Sequence, residues 1–123
     1  MTDAIPTVFV VDDDISVRES LELLIRCAGW QAETFASAQE FLASDSIEKT
    51  KCLLLDLAMP GMSGLDLQRE LRRRRHAIPI VFVTACGDRT VRLRVLQQGA
   101  VECLFKPFSE NDLLEALHKA LAN

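Results

Sequence analysis

Apolar residues recur along the chain with two different periods. The runs TVFVV (7–11), CLLLDL (52–57) and IPIVFVT (78–84) are short, almost uninterrupted and aliphatic, as in strands covered on both faces. Pro79 stands near the start of the third run, where a strand tolerates proline. Between the runs the pattern lengthens. Val17, Leu21, Leu24, Ile25 and Ala28 form one helical stripe, and Gly29 reads as its left-handed stop. SAQEFL opens a second helix with Ser37 and Glu40 spaced as a capping box. GLDLQRELRRRR puts Leu67 and Leu71 on one helical face, and DRTVRLRVLQQG runs from Asp88 to Gly99. SENDLLEALHKAL starts at the cap Ser109 and is expected to bury Leu113, Leu114, Leu117 and Leu121. Two weaker strands, QAETFA (31–36) and VECLF (101–105), complete five strand–helix repeats. This alternation predicts an α/β fold: a doubly wound, five-stranded parallel sheet with helices on both faces.

In such a sheet the carboxyl ends of all strands share one edge, and ligands bind there. The polar residues expected at that edge are few: Asp12 and Asp13 after the first strand, Asp56 after the third, Thr84 after the fourth and Lys106 after the fifth. Asp14 can cap the first helix. Asp12, Asp13 and Asp56 then converge if the first and third strands are neighbours, and three carboxylates need a cation among them. An all-oxygen set suits Mg²⁺ or Mn²⁺. A hard metal, a flanked carboxylate, a hydroxyl and an ammonium form a coherent set for phosphoryl transfer to a carboxylate.

Composition narrows the field without choosing a function. The 123 residues fit one domain, 49% hydrophobic and 26% charged, with a net charge of −4 that gives no general pull towards nucleic acid. MTDAIPT has no signal-like character, which predicts a cytoplasmic protein. Cys27, Cys52, Cys86 and Cys103 lack metal-ligand spacing and are expected to be buried, reduced thiols. The basic run at 72–75 is expected to be a solvated helix end, and Phe35, Phe41 and Phe108 to be core.

The stretches VVDDD, LLLDLAMPGMSG, VFVTA and FKPF give the chain a specific likeness. It resembles the response-regulator receiver domains of two-component signalling, closest to the FixJ-like receivers, over about residues 7–121. The resemblance implies a CheY-like (βα)5 fold with strand order 2-1-3-4-5, and residues 1–123 as one receiver domain without its output domain. It implies Asp56 as phosphoacceptor and Asp13 as a direct metal ligand. Asp12 would reach the metal through water, and Ala58 would contribute its main-chain carbonyl. Thr84 and Lys106 match the switch hydroxyl and the phosphoryl-binding lysine, and the family has a cis bond at the Lys106–Pro107 position. The implied partners are a histidine kinase and, after phosphorylation, a second copy through the fourth helix and fifth strand. The domain itself would bind neither nucleic acid nor membrane, and its output would be transcription.

Departures from the family pattern fall at three positions. Cys103 stands where many receivers carry Tyr or Phe as partner of the switch hydroxyl, Ala58 where others are polar, and Cys86 two residues after Thr84. Strand alternation puts Val101, Cys103 and Phe105 on one face, with Cys103 partly shielded by the fourth helix. The runner-up is a haloacid-dehalogenase-type phosphatase, since DDDIS approaches its D-x-D-x-[TV] signature, although LLLDLAMPGMSG would then be unexplained. A degenerate receiver would not keep five polar residues. A flavodoxin-like flavin carrier would need a Ser/Thr/Gly-rich cradle after the first strand.

Overall fold

The computed structural model describes residues 5–85 and 89–122. Five parallel strands, β1 (Thr7–Val11), β2 (Gln31–Phe35), β3 (Cys52–Asp56), β4 (Ile80–Thr84) and β5 (Glu102–Phe105), form one sheet in the order β2-β1-β3-β4-β5. They alternate with helices α1 (Ile15–Cys27), α2 (Ala38–Ala43), α3 (Gly64–Arg73), α4 (Arg89–Gln97) and α5 (Glu110–Leu121). A single 3₁₀ turn at Ile47–Lys49 precedes β3.

The aliphatic runs serve two cores at once, because successive side chains of a strand point to opposite faces. Phe9, Val11, Leu53, Leu55, Ile80 and Phe82 pack with Phe41 of α2, Leu67 and Leu71 of α3 and Val95 of α4. Val8, Val10, Cys52, Leu54, Val81 and Val83 pack with Leu21 and Ile25 of α1 and with Leu113 and Leu117 of α5. β1, β3 and β4 are therefore buried on both sides, which is why they show no polar alternation. Trp30 lies where β2 begins, at the edge opposite the strand ends, with its ring 4.8 Å from that of His118.

Local signals set the helix boundaries. Asp14 caps α1 as expected: its carboxylate accepts from the main-chain nitrogens of Ser16 (2.8 Å) and Val17 (3.4 Å). Gly29 takes the left-handed conformation after α1, with φ +95°. Ser37 makes only half of its expected box, accepting from the Glu40 main-chain nitrogen at 3.1 Å. The full capping box lies instead at α3. There Ser63 Oγ accepts from the Asp66 nitrogen, and the Asp66 carboxylate in turn accepts from the Ser63 nitrogen, both at 3.1 Å.

Several burial expectations need correction. Ala28 is exposed, and Leu114 and Leu121 are half-buried, because the apolar stripes of α1 and α5 narrow towards their edges. Cys27 is exposed in the last turn of α1, whereas Cys52 and Cys103 are buried. Val101 is not on the Cys103 face. It sits in a bend before β5 and packs with Leu104 on the opposite side, so alternation holds only from Glu102 onward. Asp88 and Cys86 lie outside the described residues. The basic run ends α3 on the surface as expected. Arg73 and Arg74 both bind Glu70, at 2.6 and 2.7 Å, and hold its carboxylate down at about 2. Phe41 is fully buried, and Phe35 and Phe108 are partly buried against the two cores.

Candidate functional site

Each strand delivers its polar residue to the carboxyl edge. β1 ends in Val11, so the next residue, Asp12, emerges at the crevice with its side chain still packed, 1% exposed. Asp13 follows in the loop and is open to solvent. β3 lies beside β1, with Val11 opposite Leu55, and its last residue is Asp56, 7% exposed. The carboxylates of Asp12, Asp13 and Asp56 each bring an oxygen within 4.8 Å of the other two. Thr84, 1% exposed, closes β4, and its carbonyl accepts from the Lys106 nitrogen at 2.8 Å. The Lys106 ammonium reaches the Asp12 carboxylate at 3.5 Å, and the Lys106–Pro107 peptide is cis. Asp12, Asp13 and Asp56 thus meet in one cluster, Lys106 pairs with it, and Thr84 ends the strand beside Lys106.

The carboxylates are not equivalent. Asp12 already accepts from the Asp14 nitrogen at 2.9 Å and faces Lys106. Asp13 is exposed, with one carboxylate oxygen within 4.8 Å of oxygens of the other two acids. Asp56 accepts from the Ala58 nitrogen at 3.3 Å, where the chain turns back over its carboxylate. Burial pushes the Asp56 carboxyl up to about 6, and the Asp12 charge adds to the rise; Lys106 and the Ala58 N–H oppose it. Three acids near one ammonium remain an excess of negative charge. The all-oxygen donor set fits a hard divalent cation.

Two parts of the site escaped the sequence reading. Arg18, one turn into α1, donates from Nη1 to the main-chain oxygen of Asp12 at 2.7 Å and braces the loop that carries both acids. Gly64 opens α3 against the end of β3. A Cβ there would lie 2.3 Å from the Asp56 main-chain oxygen, and the Gly64 nitrogen donates to Leu57 at 2.9 Å. The S-G-L-D pattern at 63–66 carried a signal for the second; nothing in the sequence marks Arg18 apart from other helical arginines.

Cys103 is more enclosed than expected, at 2% exposure. It sits opposite Phe82 in the ladder and packs in the core that contains Val95 of α4. Arg92 of α4 spans its outer side, donating to the Cys103 carbonyl at 3.2 Å and pairing with Glu102 at 2.8 Å. This strap excludes water that a bare β5 edge would admit.

A doubly wound sheet with acids, a hydroxyl and a lysine at its carboxyl edge defines a phosphoryl-accepting signalling domain. The chain belongs to the response regulator receiver domain family, whose model it matches over residues 8–118. It is 48% identical over 110 residues to nodulation protein W of Bradyrhizobium diazoefficiens, covering 89% of this chain and 48% of that protein. It is 40% identical over 121 residues to the response regulator protein TodT of Pseudomonas putida strain F1, covering 98% and 53%. Among solved structures, the response regulator StyR aligns with a TM-score of 0.89 and 51% identity, over 97% of this chain and 60% of that one. FixJ-N aligns with a TM-score of 0.87 and 34% identity, over 100% and 97%. The chain spans about half the length of these curated relatives. The phosphatase alternative finds no support among these likenesses. None of the helices among the described residues is long and apolar enough to cross a membrane.

Proposed function

We propose that Asp56 accepts a phosphoryl group from a phosphohistidine of a partner kinase, and that the modified domain controls an output. The convergence of Asp12, Asp13 and Asp56 with Lys106, beside Thr84 at the end of β4, carries this reading. An Asp56 carboxylate oxygen attacks phosphorus, the P–N bond breaks, and its electron pair returns to the imidazole. With its pKa raised to about 6, Asp56 is still mainly a carboxylate at neutral pH and so can act as a nucleophile. Lys106 neutralises phosphoryl charge, and Thr84 supplies a hydroxyl to the same group. Asp13, Asp56 and the Ala58 carbonyl would hold Mg²⁺ or Mn²⁺ directly, with Asp12 acting through water. That cation would supply further neutralisation of phosphoryl charge. The exposure of Asp13 and the existing bonds of Asp12 support this division.

The domain assists only its own phosphorylation and dephosphorylation. Cys103, beneath Arg92 and beside Val95, is the position through which a change at Thr84 reaches α4 and β5, the proposed homodimer surface. Transcription in the cytoplasm is the proposed output, since relatives include the transcriptional regulatory protein TdiR of Thauera aromatica. Incubation with acetyl phosphate and Mg²⁺ should add one base-labile phosphoryl group per chain, absent in Asp56→Asn. Labelling of that variant at the wild-type rate would refute the assignment. Asp13→Ala should weaken Mg²⁺ binding more than Asp12→Ala in calorimetric titration.

A further inference from the structure

The peptide between Asp12 and Asp13 sets the direction in which the exposed acid of the cluster leaves the chain. A peptide is planar, so holding its oxygen fixes the torsions on both sides, ψ of Asp12 and φ of Asp13. That oxygen accepts from Arg18 Nη1 at 2.7 Å, a bond that reaches back six residues from within α1. The donor is ionised, which makes the bond stronger than a neutral one of the same geometry. The rest of the turn is held elsewhere. The Asp12 nitrogen donates to the Phe35 carbonyl at 3.2 Å, Asp12 Oδ1 accepts from the Asp14 nitrogen at 2.9 Å, and Asp12 Oδ2 faces Lys106 at 3.5 Å. Asp14 is fixed in turn by its cap on Ser16 and Val17. These bonds secure the residues on either side of Asp13, while Arg18 secures the linkage into it.

The charge of Arg18 and its bond act in opposite directions at a cation site. A guanidinium beside three carboxylates opposes a divalent cation by charge. Fixing the turn favours the cation, because less of the entropy of ordering Asp13 is left to be lost when metal binds.

We propose that Arg18 is a positioning residue for the divalent cation, holding the Asp12–Asp13 peptide so that Asp13 is preorganised beside Asp56, and that this effect outweighs its charge. The proposal rests on the reading of Asp12, Asp13 and Asp56 as the cation site. Arg18 acts on the metal through Asp13 and is not itself a ligand.

Calorimetric titration with Mg²⁺ tests it in wild type, Arg18→Met, Arg18→Lys, Asp13→Ala and the double variant Arg18→Met/Asp13→Ala. Arg18→Met should weaken Mg²⁺ binding about fivefold, as expected for the net contribution of one hydrogen bond. Arg18→Lys should bind more tightly than Arg18→Met, since its ammonium can still donate to the Asp12 carbonyl; charge alone would give the reverse order. In Asp13→Ala the residue being positioned is gone, so adding Arg18→Met should change the remaining affinity by less than about twofold. A loss of stability alone would leave the affinity of the folded protein unchanged, and a charge effect would persist without Asp13. If Arg18→Met does not fold, Arg18→Gln, neutral and shorter, takes its place. Binding by Arg18→Met as tight as wild type, or tighter than Arg18→Lys, with Asp13→Ala still weakened, would overturn the proposal and leave the cation site standing. So would a fivefold loss that persists in the Asp13→Ala background. Equal binding by wild type and Asp13→Ala would refute the cation site itself, and the role of Arg18 with it.

Discussion

At the scale of single residues, environment separates side chains that composition cannot. Asp12, Asp13 and Asp14 are adjacent and chemically identical, yet one is packed against Lys106, one faces solvent and one caps a helix. The capping role of Asp14 was legible from the strand end and the helix start that follows it, while the different surroundings of Asp12 and Asp13 were not. The raised Asp56 carboxyl has a direct consequence for stability. Its pKa rises from 3.8 to about 6 on folding, so the folded state holds its proton more tightly than the unfolded chain. The associated stability is fully present below 3.8 and is lost as pH rises through about 6. Without divalent cations, Asp56→Asn should therefore be more stable than wild type at pH 7.5, by about 2 to 3 kcal/mol. The gap should close near pH 4; urea unfolding in EDTA at both pH values checks it. Among the described cysteines burial was misread for Cys27 alone, because a cysteine's surroundings depend on which face of its element meets a neighbour. Cys27 should alkylate first. Cys52, with its thiol pushed up to about 12 by burial, and Cys103, also raised by burial, should react far more slowly. Peptide mass spectrometry after timed iodoacetamide exposure resolves the three, and treatment with beryllofluoride should change the rate at Cys103 alone.

At the scale of elements, the aliphatic strands and the leucine stripes were readable because their burial repeats along the sequence. The elements with mixed signals were harder to read. The capping box expected at Ser37 is half made, while the complete one at Ser63 closes with Asp66, a shorter acid than the Glu or Gln usual there. That helix start also supports the end of β3, through the close approach of Gly64 to Asp56. Gly64→Ala should force the loop after β3 to shift, costing about 1 to 3 kcal/mol as overpacking does, and should slow acetyl phosphate labelling. Ser63→Ala removes a cap worth about 1 kcal/mol but no space, so it should lose stability with labelling largely retained. Denaturation midpoints and labelling rates measured on both variants separate the two effects. β5 was read with the wrong start because Val101 belongs by composition to the strand but by geometry to the bend before it. The Arg92–Glu102 pair across α4 and β5 joins positions ten apart in the chain, a separation outside any helical or strand period.

At the scale of the whole molecule, the strand order was implied by the likeness to receiver domains, and the observed order, with β1 and β3 adjacent, brings the three acids together. The same order places Trp30 at the far edge, against His118. Adding Mg²⁺ alone should leave tryptophan emission almost unchanged; a saturable quench would show that the cation binds elsewhere or moves the far edge. What the sequence could not disclose is the packing between helices distant in the chain, where Gln68 of α3 meets Val95 and Gln98 near the end of α4. The position of β3 at the centre of the sheet has one more consequence. A central strand, flanked by β1 and β4 and covered on both faces, exchanges its amide protons with solvent only when the whole domain opens. The residue proposed to carry the signal therefore rides on the slowest-exchanging segment of the chain, while α4 and β5 lie towards an edge that can open locally. Sender and responder are kept on separate clocks, so a message can be held in one place while its display flickers in another.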